Sequence, residues 1–280
     1  MKLLFSSTIK FTIIFLLAFE FSFGQKEDNP LLPVARPDVK DVGVILGLGQ
    51  NFQSGIFKLD CNCEFSGGVK FGYFFGAVYE QHIRNDFRWG LILGYESLGL
   101  NSSYKTLETI KIISPTSLID TFNTTILIRQ KADAEFSYLS LAPYLKYSYK
   151  WFFLRLGFSA GYNLKATVIQ TAELLTTSAL IDGKTVELSI DSSSNKGKKI
   201  SETITELQNG NFKNTSEIRL SLLPMAGLNI PIGDDWEFNP SFALSIPLNY
   251  TATDMDFSVN AWRIMLELRY CIFKPDILIR

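Results

Sequence analysis

The sequence predicts an all-β fold: eight antiparallel strands closed up-and-down into a transmembrane barrel, with long extracellular loops at one end. Three observations carry that prediction. Apolar and polar residues alternate with period two over segments that run well past the five or six residues usual for soluble strands. The less greasy face of those segments holds glycine, serine, alanine and a few charges of both signs, instead of the dense polar cover of a strand facing water. Tight turns and long loops alternate along the chain, the pattern of a spanning barrel whose short turns share one side.

The chain has 280 residues, 46% hydrophobic and 20% charged, which excludes disorder by composition. Residues 1–24 read as a cleavable secretory signal. Lys2 and Lys10 precede the apolar run Phe11, Ile13, Ile14, Phe15, Leu16, Leu17, and Ser22 and Gly24 supply small residues before Gln25. Formal net charge is −1, and without Lys2, Lys10 and Glu20 it becomes −2. Neither value points to nucleic acid. Residues 25–40 carry three prolines and read as an unpaired periplasmic lead, the barrel as 41–273, and 274–280 as a tail.

The strands follow in order. Residues 41–50 form a short, glycine-rich first strand, and from Val69 the second sets Phe71, Tyr73, Phe75 and Tyr79 against Lys70, Gly72, Gly76 and Glu80. After the turn at 84–86, Trp89, Leu91, Leu93 and Tyr95 oppose Arg88, Gly90, Gly94 and Glu96. The fourth strand, 138–149, reverses near Lys150 into a fifth in which Leu154, Leu156 and Phe158 alternate with Arg155, Gly157 and Ser159. The sixth spans 218–232, "GDD" turns it into the seventh at Trp236, and the eighth spans 257–273 with Trp262, Ile264 and Leu266 against Arg263, Met265 and Glu267.

A barrel this small converges inward, so the small and charged face belongs in the lumen and the bulky face in lipid. Lys70, Glu80, Arg88, Glu96, Lys146, Arg155, Arg219, Glu237, Arg263, Glu267 and Arg269 are then expected in one paired interior network, seven positive and four negative. On the lipid face each Lys or Arg at mid-depth would cost about 2–4 kcal/mol. Interfacial aromatic girdles are expected from Tyr79, Phe87, Trp89, Phe152, Trp236, Phe238 and Tyr270 near the short turns, and from Phe71, Tyr95, Tyr162, Tyr250 and Phe257 near the long loops.

Chemistry has few candidates. His82, the one histidine, stands at the first short turn, far from the loops where a Ser-His pair would be presented, so no catalytic residue is expected. Cys61 and Cys63 in "DCNCEF" are close enough to pair in an oxidising compartment, with Cys271 at the other end of the barrel. A C-x-C without histidine partners is no metal signal of weight, and no metal or cofactor is expected. "LGLGQNFQSG" lacks the helix that a nucleotide-binding glycine loop needs. Loops 103–136 and 165–217 are the expected protein-binding surfaces. A hairpin is expected in each, "TIKII" (109–113) with "TTILIRQ" (124–130) about "SPTSLIDTFN" and "KTVELSID" (184–191) with "ISETITEL" (200–207) about "SSSNKGKK", their open edges able to accept a partner strand.

The signal ending "SFGQ", the glycine-rich first strand, "YLSLAPYLKYSYKWFFLRLGFSAGYNL" and "NPSFALSIPLNY" resemble the outer-membrane β-barrel domain common in Bacteroidota, often described as porin-like, and the related PorT-like barrels. The resemblance covers residues 41–273 and rests on pattern. It implies an OmpA-type or OmpX-type barrel in the outer membrane and carries over no catalytic residue. The tail "KPDILIR" after Phe273 departs from it, since the terminal strand does not end the chain. The expected role is structural or surface-binding, with a side-chain-filled lumen, set in outer-membrane lipid and lipopolysaccharide. An accessory barrel of a secretion or gliding machine comes second, and a lipid-modifying enzyme last.

Overall fold

The computed structural model describes residues 39–59, 63–84, 86–113, 121–181, 184–188 and 198–273. The signal, most of the lead, Cys61 and the tail lie outside them. Eight strands form the wall: β1 (Lys40–Gly55), β2 (Val69–Arg84), β3 (Phe87–Ile113), β4 (Thr121–Tyr149), β5 (Phe152–Leu174), β6 (Ile218–Leu228), β7 (Trp236–Pro247) and β8 (Phe257–Phe273). Each pairs antiparallel with its neighbours in sequence, and β1 also pairs with β8, setting Leu46 between Leu266 and Phe75. The hydrogen bonds therefore close a ring with no free edge in the spanning region, the condition a β structure must meet in hydrocarbon.

Period two decides what each strand shows to the outside. Leu156 is 56% exposed while its neighbour Arg155 is 2% exposed, the inverse of a soluble strand. Val44, Leu46 and Leu48 on β1, Phe75 on β2, and Ile264 and Leu266 on β8 extend the same exposed apolar belt around the ring. In water a patch of that extent would drive association. Against acyl chains it is the satisfied state. Among the described residues no helix is long and apolar enough to cross a membrane.

Glycines open the narrow interior. A Cβ at Gly90 would overlap the Tyr144 ring, and one at Gly94 the Phe74 ring, so both inward aromatics need a bare backbone opposite them. The β4–β5 turn is tight: Tyr149 faces Phe152, and Lys150 takes a left-handed φ of 54°. Pro143 and Pro224 have no N–H, and beside them the β4–β5 register skips from Leu141 to Tyr144 and the β6–β7 register from Leu222 to Met225.

The first strand runs on to Gly55, past its expected end at residue 50, and the structure departs from the expected elements in two further places. The sixth strand stops at Leu228, because Asn229 turns its N–H to the Trp151 carbonyl (2.7 Å) and its side chain to Ser148 (3.3 Å); Ile230–Ile232 pairs only with the start of β7. The expected hairpin between 184–191 and 200–207 does not form. Lys184–Glu187 pairs back on Ser178–Ile181, while Ile204–Asn211 adds to the edge of β5 and Lys198–Lys199 adds to it in turn. A long edge strand already on offer, β5, outcompetes a local hairpin.

Candidate functional site

The lumen is filled in layers. At the short-turn end, seven strands send ionised groups to one cluster: Asp41 (β1), Glu80 (β2), Arg88 (β3), Lys146 (β4), Arg155 (β5), Glu237 (β7), and Glu267 and Arg269 (β8). Four cations meet four carboxylates. Arg155 grips Glu267 with both terminal nitrogens (3.1 and 3.4 Å), and Arg269 lies against Glu80 and Glu267. Arg88 reaches Glu80 at 3.1 Å, Asp41 at 3.6 Å and Glu237 at 3.7 Å, while Lys146 stands 3.5 Å from Glu80 and 3.6 Å from Glu237. Aromatic groups complete the layer. Tyr144 donates its hydroxyl to Glu80 (2.8 Å) beneath the Arg155 guanidinium, and Lys146 caps the Phe153 ring at 4.5 Å.

Above this cluster lies an apolar layer that includes Ile45, Val78, Ile92, Met225 and Met265. A second, smaller charge group follows. Glu96 accepts from Arg219 and Arg263, each at 3.1 Å, and the two guanidiniums also reach Ser245 (2.9 Å), the Val259 carbonyl (3.0 Å) and Asn51 (3.2 Å). The cavity left between these layers measures about 30 Å³, water-sized and no conduit.

An aromatic plug closes the long-loop end. The short segments Phe57–Lys58 and Glu64–Phe65 pair and fold into the mouth, stacking Phe57 on Phe65 at 5.2 Å. Phe257 packs on Phe57 at 5.4 Å and on Phe212 at 5.7 Å, and Phe136 meets Phe212 at 5.3 Å. Leu98, Leu100, Ala132, Ala134 and Val259 surround them, all buried. Cys63 is disulfide-bonded and belongs to the same plug, while Cys271 lies at the opposite end of the barrel, its N–H on the Asp235 carbonyl (2.9 Å).

Ten of the eleven expected lumen charges thus occupy the two interior groups, and Lys70 does not. The β2–β3 ladder ends at the Tyr73–Ser97 pair, so Lys70, still paired with Asn51 of β1, sends its side chain across that gap to bridge Asp133 (2.5 Å) and Glu135 (2.8 Å) instead. Phe257 is a second correction: expected in the outer girdle, it is fully buried, because it shares the inward parity of Arg263 and Glu267 along β8. Asp41 is a lumen member that the sequence reading missed, although it stands one residue before the first outward valine. The remaining aromatics line the exterior: Trp89, Phe152, Trp236 and Tyr270 toward the short turns, Tyr162 and Tyr250 toward the loops, all exposed. Tyr79 packs edge-on against Trp89, and Tyr95 stacks on Phe75 and donates to Ser137 (2.8 Å). His82 lines a cleft of about 170 Å³ at the short-turn rim with Asp41, Arg88 and Glu237.

Beyond the mouth, β3, β4 and β5 continue as a projecting sheet. The β3–β4 ladder runs unbroken from Phe87–Tyr147 to Ile113–Thr121, and β5 stays paired to β4 as far as Leu174. Its two edges differ. The β5 edge is covered by Ile204–Asn211, whereas above Ser97 the β3 edge has no ladder partner among the described residues.

The ring, the apolar exterior and the layered interior define a transmembrane eight-stranded up-and-down barrel with a closed lumen. No family model matches the chain, and no curated protein matches it. Among solved structures it is similar to Neisserial surface protein A (TM-score 0.32, 9% identity, covering 82% of this chain and 96% of that one). It is similar also to Ail, the attachment invasion locus protein of Yersinia pestis, solved in complex with the heparin analogue sucrose octasulfate (0.31, 14%, 82% and 99%). A third is the outer membrane protease OmpT from Escherichia coli (0.33, 11%, 87% and 100%).

Proposed function

We propose that the chain is an integral outer-membrane protein without enzymatic activity that conducts nothing through its lumen and acts as a structural or surface-binding component through its projecting sheet. One observation carries this reading: the interior is sealed twice, by the Glu80–Arg269 cluster and by the Phe57–Phe257 plug, while the β3 edge above the membrane, touched at Ser102 by the Ser66 carbonyl and at Tyr104 by Phe65, has no ladder partner among the described residues. An open edge offers main-chain donors and acceptors to an incoming strand. Docking of another envelope protein, as in an accessory barrel of a secretion or gliding machine, would use that same edge. His82, at the opposite rim, is out of reach of the loops that would present a serine nucleophile.

Edge charges are the way natural sheets refuse added strands. Replacing Leu107 and Thr109, both exposed on β3, by lysine should abolish co-purification of the partner from gently solubilised envelopes while the unboiled gel mobility stays that of the folded barrel. Planar-bilayer recordings should show no steady conductance. A partner retained by the doubly substituted protein, or an ohmic channel in the wild type, would refute the proposal.

A further inference from the structure

The outer wall of the projecting sheet carries a charge imbalance that the fold itself does not use. On β4 the even-numbered Gln130, Ala132, Ala134 and Phe136 are buried, so Arg129 and Lys131 face outward with the lipid belt below them. In the β3–β4 ladder Lys105 stands directly opposite Arg129, and Ser103 opposite Lys131. Like charges in register destabilise a sheet unless something outside it compensates.

Following the two rows across the sheet completes the count. Arg129 faces Glu173 on β5, Lys131 faces Thr171, Thr171 faces Glu206, and Glu206 faces Lys198. Glu173 is shared by Lys131 (2.7 Å) and Arg129 (3.3 Å). Among the described residues, four cations (Lys105, Arg129, Lys131, Lys198) against two carboxylates (Glu173, Glu206) leave an excess of two positive charges on this face. Lower on the wall the charges balance, Lys70 and Lys165 standing against Asp133 and Glu135.

Height identifies what can neutralise the excess. Tyr95, in the upper girdle, faces Leu139, and Ser103 lies eight residues further along β3. At roughly 3.3 Å per residue and a tilt near 40°, the cations begin about 20 Å above the girdle. Phospholipid head groups end well below that level. The wall is continuous with the lipid belt, so its neighbour at this height is the sugar layer of the same leaflet.

We propose that Lys105, Arg129 and Lys131 bind the phosphate- or carboxylate-bearing saccharide of a glycolipid in the surrounding leaflet. The site rests on the transmembrane reading above and adds a ligand class to it. Guanidinium and ammonium groups two residues apart on paired strands suit an anion on a sugar, with Arg129 offering two parallel donors.

The test uses the full chain purified from membranes in mild detergent and reconstituted in phosphatidylethanolamine vesicles. The vesicles contain either a glycolipid with a phosphorylated saccharide or the same lipid cut back to its acylated sugars. Bound glycolipid is read by native mass spectrometry. The wild type should retain the complete glycolipid about tenfold over the Lys105→Ser, Arg129→Gln, Lys131→Ser variant and over the truncated lipid. Equal retention of the two lipids, equal retention by the variant, or equal binding of free inorganic phosphate or a soluble sulfated saccharide would each overturn the proposal. Unboiled gel mobility is followed in parallel, since its loss in the wild type would instead sink the barrel itself. Lys105→Ser alone, at a solvent-exposed position, should still lower retention severalfold, and wild-type retention by it would count against the site.

Discussion

At the short-turn end the lumen is filled by four cations and four carboxylates, and at the long-loop end by phenylalanines, a disulfide-bonded cysteine and small apolar residues. Both fillings block the passage, but they fail differently. In the charged layer each partner is shared: Glu80 alone faces Arg88, Lys146, Arg155 and Arg269. Removing it takes a carboxylate from all four at once, leaving Arg88 and Lys146 to Glu237 and Arg155 and Arg269 to Glu267. In the plug each ring contributes its own contacts, and the loss of one leaves the others in place. The charged end is therefore the more sensitive to a single loss, since one carboxylate serves cations from four strands.

Glu80→Leu breaks the comparison most sharply. It leaves buried cations without their common carboxylate, at a cost of about 3–5 kcal/mol. Urea unfolding in micelles, read by unboiled gel mobility, should show the folded band lost at markedly lower urea, and an unchanged midpoint would contradict the shared-partner account. Phe257→Ala in the plug should cost about 3 kcal/mol by the same assay. Bilayer recordings of that variant should stay silent, because the charged layer beneath still closes the lumen; steady current would show that the plug is the only seal.

The smallest effect sharpens the comparison from outside the membrane. Hydrogen bonding from Lys131 holds the Glu173 carboxyl below its ordinary pKa, and hydrogen bonding from Lys70 does the same for Glu135. A carboxyl depressed in the folded state stabilises it at neutral pH, above the unfolded value near 4.5. That contribution fades as pH falls through the folded value. The unfolding midpoint of Glu173→Gln should therefore lie slightly below that of the wild type at pH 7 and converge with it as the pH falls through the folded value. A gap that stayed constant between those pH values would remove the assigned cause.

Much of this was legible before any fold was known, and the misses are specific. Arg155 beside Leu156 announces an inside and an outside in two residues, and the same alternation runs through β2, β4, β7 and β8. Phe257 had the parity of Arg263 yet was expected in the girdle, since an aromatic near a loop suits an interface equally well. Phe57, Phe65 and Phe212 lie in connections without any period, so no pattern marks them as core. Lys70 has inward parity, but the parting of β2 from β3 after Tyr73 carries it to Asp133 and Glu135. The strand Ile204–Asn211 was foreseen as β and assigned the wrong partner, because which edge captures it depends on edges that exist only once β5 is in place.

The sequence by itself determined which side of each spanning strand meets lipid, because successive side chains on a strand must point to opposite faces and that rule is local. Closure decided everything that joins distant residues: the Arg155–Glu267 pair across 112 positions, the plug whose rings come from five separate segments, and the row of cations across the projecting sheet. Those depend on inter-strand register. Register is set collectively, by a ring that closes in one way.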